Sequence, residues 1–339
     1  MTLDEFLTEW YADSPMLTVH TSGSTGQPKA ISVEKRRMEA SARLTCRFLD
    51  LQAGQTALLC LPLDFIAGKM MVVRALTCGL RLVSVDPDSH PLRTDSLPDS
   101  HPLRTDSPID FAAMVPLQVV SSLQVPEERQ RLMAIRHLII GGGPIDDDLA
   151  DRLRSFPNNV WSTYGMTETL SHVALRRLSG PDASRWYTPF HGVTIATNDD
   201  GCLLIDAPAV CDRQLLTNDL AELRPDGCFR ILGRKDNVVC SGGLKIQIEE
   251  VERLLHPHLA VPFCITKASD PLLGEAVVML TESTDVESIA TVCQRVLPRH
   301  WKPRRYVTVD HIPLTATGKI ARKEARQLAQ QSEHTVIAR

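Results

Sequence analysis

The chain has 339 residues, 43% of them hydrophobic, and a formal net charge of −4, enough for one large domain and a smaller one and no basic field to recruit nucleic acid or an acidic membrane. Nine cysteines are dispersed without a CxxC pair, which argues against a disulfide framework or a zinc site and for a reducing cytoplasm. Acids in MTLDEFLTEW and arginines such as Arg74 and Arg81 within the apolar runs argue against a signal peptide or a membrane span.

Two short β-runs, LTVH and KAISV, flank the turn TSGSTGQPK (21–29). There Gly23 and Gly26 let backbone amides approach an anion, Thr21, Ser22, Ser24 and Thr25 add hydroxyl donors, and Lys29 adds a compact positive charge, together a polyphosphate clamp. It is not a Walker loop: the glycine spacing is shorter, Pro28 precedes the lysine and Ala30 follows it, and a strand comes next where a helix would be needed. Residues 33–49 carry helical patterning, TALLCLPL reads as a buried strand and GKMMVVRAL as the helix after it. The stretch DSHPLRTDS occurs at 88–96 and again at 99–107; its Pro, Ser and Asp content predicts an exposed loop that buries no apolar surface.

Beyond the repeat, IRHLII and GGGPIDDDLADRL predict a strand, a glycine turn and a helix with acids in its first turn, where the helix dipole favours them. VWSTYG and TIATNDDGCLLID continue the β pattern. From Cys240 the helices IEEVERLL, VESIATVCQRVL and KIARKEARQLAQQ alternate with strands, which predicts a separate α+β domain of about a hundred residues. The expectation is an α/β protein: a large N-terminal domain over 1–233, a hinge at 234–239 and a mobile C-terminal α+β domain over 240–339.

Taken in order, TSGSTGQPK, GGGPI (141–145), STYGMTE (162–168), LLTNDL (215–220), GRKDNVVCSGGLKIQIEEVE (233–252) and PLTATGKIARKE (313–324) span nearly the whole chain. This series resembles the adenylate-forming enzymes, which comprise acyl-CoA synthetases, peptide-synthetase adenylation domains and luciferases. The resemblance implies ATP, Mg2+ and coenzyme A as reaction partners and the phosphate loop as the triphosphate clamp. It places Gly141, Gly142, Gly143, Pro144, Ser162, Thr163, Tyr164 and Gly165 at the adenine, with the Tyr164 ring stacked on the base. Thr167 and Glu168 fall at the phosphates, Glu168 as a magnesium ligand. Asp219 and Arg234 fall at the ribose. Asn218 stands where the family usually has glycine, and its tolerance of positive φ implies that a turn is kept there.

Lys319 is the implied catalytic lysine, with Arg322, Lys323 and Arg326 expected to be solvated. Asp236 takes the hinge position, and Ser241, Gly242 and Gly243 the wall of the coenzyme A channel. Relatives carry a long segment ahead of the phosphate loop, which here begins at Thr21. This shortness and LPLDFIAGKMMVVRAL (61–76) resemble short forms of o-succinylbenzoate–CoA ligase of menaquinone synthesis. Phe65 replaces a frequent histidine, and Lys69 and Arg74 are candidates to meet a second substrate carboxylate. The readings left open are another carboxylic acid, a carrier-protein thiol, a catalytically inactive nucleotide-binding scaffold and, weakest, a Walker-type NTPase. A homodimer is also open.

Overall fold

The computed structural model describes residues 1–20, 30–95, 97–105, 107–315, 320–331 and 335–337. The chain splits into two compact units, one of Met1–Ala196, Leu204–Leu215 and Leu223–Arg230, the other of Thr197–Leu203, Leu216–Glu222 and Ile231–Arg339. Among the described residues no helix is long and apolar enough to cross a membrane.

In the first unit, helix α1 (Leu3–Tyr11) starts on a reciprocal cap in which the Thr2 hydroxyl accepts from the Glu5 amide and the Glu5 carboxylate accepts from the Thr2 amide. Strands β1 (Met16–His20) and β2 (Ala30–Glu34) pair antiparallel with His20 opposite Ala30, so they bracket 21–29, the expected phosphate loop, which lies outside the described residues. Helix α2 (Lys35–Phe48), strand β3 (Thr56–Leu59), helix α3 (Ile66–Cys78) and strand β4 (Arg81–Ser84) follow. Next come β5 (Phe111–Met114), α4 (Pro116–Ser122), α5 (Pro126–Ala134), β6 (His137–Ile140), α6 (Asp147–Arg154), β7 (Asn159–Gly165), β8 (His172–Arg177) and β9 (Thr188–Pro189). The strands β3 to β9 form a seven-stranded sheet of order β4-β3-β5-β6-β7-β8-β9, parallel through β7 and antiparallel at β8 and β9. Strands β3, β5 and β6 are buried at every position, as parallel strands covered on both faces must be.

The duplicated segment departs from expectation. Leu92 is 0% and Leu103 5% exposed, equivalent leucines of the two copies, and both join the core of Leu58, Met114, Leu132 and Leu138. The segment is pinned by polar contacts as well: His90 Nδ1 lies 3.0 Å from the Glu128 carboxylate, and Arg131 donates to the Leu92 carbonyl. A Pro-Leu step every eleven residues is too sparse to read as core, but each leucine finds a gap between helices and sheet.

Strands β10 (Thr194–Thr197), β11 (Cys202–Asp206), β12 (Leu215–Leu223) and β13 (Phe229–Arg234) form a four-stranded sheet in that order, its residues divided between the two units. In the second unit β14 (Val238–Ser241) and β15 (Leu244–Gln247) form a hairpin whose turn residues Gly242 and Gly243 have φ of +57° and +83°, the two-residue turn that demands glycine. Then come α7 (Ile248–Leu255), β16 (Phe263–Asp270), β17 (Gly274–Thr281), α8 (Val286–Val296), β18 (Arg305–Thr308), α9 (Arg322–Gln331) and β19 (Thr335–Ile337). The sheet runs β15-β14-β17-β18-β19 with β16 also on β17. Its alternation splits the core: Ile265, Val277 and Met279 pack with α7 and α8, whereas Cys264, Val278 and Leu280 pack with Ala325 and Ala329 of α9.

Arg322 corrects a second expectation. It is not solvated: its guanidinium donates to both oxygens of Glu252, at 2.7 and 2.6 Å, and to the Ile265 carbonyl. Glu252 is 6% exposed, so the cation is drawn inward by a carboxylate that cannot stay buried alone. Lys323 and Arg326 are exposed as expected.

Candidate active site

The loops after β6 and β7 leave neighbouring parallel strands at their carboxyl ends, where α/β sheets open a crevice. The Gly141 amide still donates to the Met114 carbonyl, and a Cβ at Gly141 would lie 2.4 Å from the Thr163 hydroxyl. Only glycine permits that approach. Gly142 has φ of +81° and is exposed, while Gly143 and Pro144 lead into α6, capped by Asp146. On β7, Ser162 and Tyr164 face one side and Trp161 and Thr163 the other. The Ser162 hydroxyl meets the Tyr187 hydroxyl at 2.9 Å, and the half-buried Tyr164 ring stands edge-on to Phe229 at 5.2 Å, with Tyr187 at 5.8 Å. The aromatic support of Tyr164 was illegible in the sequence, because Tyr187 and Phe229 lie outside the motifs and reach Tyr164 only through the fold.

Gly165, the last residue of the strand, has no room for a side chain, since a Cβ there would meet the Ser171 carbonyl at 2.3 Å. The short turn Thr167–Thr169 follows, tied by the Thr169 hydroxyl, which accepts from the Met166 amide and lies 2.7 Å from the Ser171 carbonyl. Leu170 closes it with φ of +64°, a left-handed backbone that leucine adopts only when its surroundings impose it. The turn presents Glu168 exposed to solvent. A single hard-oxygen carboxylate suits magnesium, which takes one or two carboxylates and fills its remaining positions with water and substrate phosphates. No cluster of three or more His, Cys, Asp or Glu occurs among the described residues, so the donor set does not suit a metal caged wholly by protein.

In the second unit Arg234 donates to Asp219 at 3.3 Å, which brings the expected ribose pair together. Asn218 needs no turn and no positive φ, contrary to expectation: it lies inside β12, and among the described non-glycine residues only Asp50 and Leu170 have positive φ. Its amide instead donates to Asp236 at 3.0 Å. Lys319 lies outside the described residues.

The expected acid-pocket residues divide by burial. Phe65 is 39% exposed at the start of α3, where Gly68 lets the helix touch the Pro62 carbonyl. Lys69 and Arg74, each 2% exposed, are not surface groups. Lys69 donates to the Thr18 carbonyl at 3.0 Å. Among the described residues Arg74 meets no carboxylate and its buried Nε no acceptor: one nitrogen donates to the Ser171 hydroxyl at 2.7 Å and another lies 3.8 Å from the Met71 sulfur. Burial pushes the guanidinium down to about 10, so it still holds its charge at neutral pH. Ser171 hands the contact to His172 at 3.2 Å, and His172 meets the Thr45 hydroxyl at 3.1 Å. Burial and the neighbouring Arg74 hold that imidazole well below its ordinary value, hence neutral.

The profile described as AMP-binding enzyme matches residues 6–204. A 2-succinylbenzoate–CoA ligase of Haemophilus influenzae is 28% identical over 94% of this chain and 72% of its own length, and one of Bacillus mycoides 23% identical over 95% and 72%. An acyl-CoA synthetase (AMP-forming)/AMP-acid ligase II-like protein from Dyadobacter fermentans is 31% identical, with 94% of this chain and 91% of that one covered at a TM-score of 0.63. The o-succinylbenzoate CoA synthetase of Bacillus subtilis, in complex with its acyl-adenylate intermediate, superposes with a TM-score of 0.74 at 23% identity, covering 91% of this chain and 68% of that one. With the profile covering more than half of the chain, this protein belongs to the AMP-binding enzyme family.

Proposed function

We propose that the chain is an AMP-forming acid–thiol ligase that activates o-succinylbenzoate with ATP as an acyl-adenylate and passes the acyl group to coenzyme A. The observation that supports this reading is the pair of turns at the ends of β6 and β7 where Gly141 and Gly165 leave no room for a side chain, next to Tyr164, Thr167 and the exposed Glu168. The relatives named for 2-succinylbenzoate support the choice of acid, as does Arg74, a charged guanidinium without a carboxylate of its own among the described residues, suited to a substrate with two carboxylates.

A carboxylic acid is already ionised at neutral pH, so its attack on the α-phosphorus requires no general base. The obstacles are charge repulsion and alignment. Lys29, the amides and hydroxyls of 21–26 and Lys319 would spread the negative charge and hold the attacking oxygen in line. Glu168 would hold magnesium, which screens the phosphates. Asp219 and Arg234 would take the ribose hydroxyls. Asp236 would act as the hinge at which the C-terminal domain turns, withdrawing Lys319 before the thiol enters past Ser241, Gly242 and Gly243.

Two experiments test this. A panel of acids in a pyrophosphate-release assay should single out o-succinylbenzoate; release with no carboxylic acid would end the ligase reading. Lys319→Ala should slow adenylation by on the order of 100-fold or more and leave thioester formation from supplied acyl-adenylate intact. Equal loss in both steps would refute the two-state use of the lysine.

A further inference from the structure

A cavity of about 270 Å³ opens in the first unit, and no residue assigned above to the adenylating site lines it. Its walls include Trp161, Trp186 and Phe48, with Arg177, Arg224 and Asp182 among them. Trp161 sits on the side of β7 opposite Ser162 and Tyr164. Phe48 stands edge-on to Trp161 at 5.4 Å. Arg177 lies over the Trp161 ring at 4.9 Å and Arg224 over the Trp186 ring at 3.9 Å. The attraction of each ring holds its guanidinium in place and leaves N–H groups able to donate.

Those groups are unclaimed. Arg177 spends its Nε on Ser179 and its terminal nitrogens meet no acceptor among the described residues; Arg224 meets neither an acceptor nor a carboxylate there. Two guanidiniums against Asp182 leave the lining with one excess positive charge, which a single carboxylate would balance. Aromatic walls with a few convergent polar groups are the usual make-up of a small-molecule site.

We propose that this cavity is a second binding site, for a planar aromatic carboxylate whose ring lies among Trp161, Trp186 and Phe48 and whose carboxylate accepts from Arg177 and Arg224. The test uses benzoate on the full chain, labelled with 15N at the indoles of its four tryptophans. The Trp161 and Trp186 signals should shift saturably while Trp10 and Trp301 hold still. Benzyl alcohol, which lacks the charge, should bind about tenfold more weakly, and Arg224→Met should weaken benzoate by a similar factor. Arg224 is exposed, so the fold should survive its loss, and acid-dependent pyrophosphate release should be unchanged, which separates this site from the catalytic one. Static Trp161 and Trp186 signals, an equal response to benzyl alcohol, or unaltered benzoate affinity in Arg224→Met would each overturn the proposal.

Discussion

Arg74, on α3 in the first unit, and Arg322, at the start of α9 in the second, are both withdrawn from water, yet among the described residues only Arg322 of the two meets a carboxylate. Burial disfavours the Arg322 charge, but the two hydrogen bonds it donates to Glu252 and the attraction of that carboxylate outweigh burial and raise the guanidinium above its ordinary value. Arg74, with a hydroxyl and a thioether for company, is pushed down to about 10. A cation with its counter-ion supplied holds a fold together. One left without a carboxylate bears a cost in desolvation that an incoming anion would relieve.

The largest expected effect tests the paired member. Arg322→Met leaves Glu252 buried and alone, and urea unfolding should show a loss of roughly 2–4 kcal/mol, discounted because the Arg322 side chain is 26% exposed. The double variant with Glu252→Gln should recover part of it. A loss below about 0.5 kcal/mol would mean the pair is ornamental. In Arg74→Met the effect should be smaller: no carboxylate among the described residues is orphaned, so stability should stay within about 1 kcal/mol of the parent. Its kcat/KM for a dicarboxylic acid should nevertheless fall about tenfold or more, with benzoate hardly affected. Equal losses with both acids would remove Arg74 from substrate recognition.

Acidification probes burial through two imidazoles of the first unit, His137 and, beside Arg74, His172. Burial, then Arg136, pushes His137 down to about 4, and His172 is held well below its usual value by burial and Arg74. Unfolded histidines titrate near pH 6.5, so between there and about 4 the unfolded chain binds protons that the native chain refuses. Stability is therefore fully present above 6.5 and is lost as the pH falls, by at most about 3 kcal/mol for His137. Unfolding curves at several pH values should show this, and His137→Asn should flatten part of the slope; an unchanged slope would rule out His137 as its source. The smallest effect is expected of Asn218→Gly, which removes an exposed hydrogen bond to Asp236 and should alter stability by no more than about 0.5 kcal/mol. A larger change would show that the β12 contact stiffens the segment around Asp236.

Local chemistry was legible in the sequence. The strands either side of 21–29, the glycine turn after β6, the helices of the second unit and the family blocks all depend on residues close together along the chain, so their periodicity and turn preferences survive in one dimension. Neighbours that sequence separates were decided only by the tertiary structure. It put Tyr187 and Phe229 behind Tyr164, sank Leu92 and Leu103 of the repeat into the core, buried Lys69 and Arg74, and gave Arg322 its Glu252. The physical reason is that burial and pairing are properties of contacts: a polar side chain on a helix carries no mark of what will pack against it, and the cost of its charge depends on that partner alone.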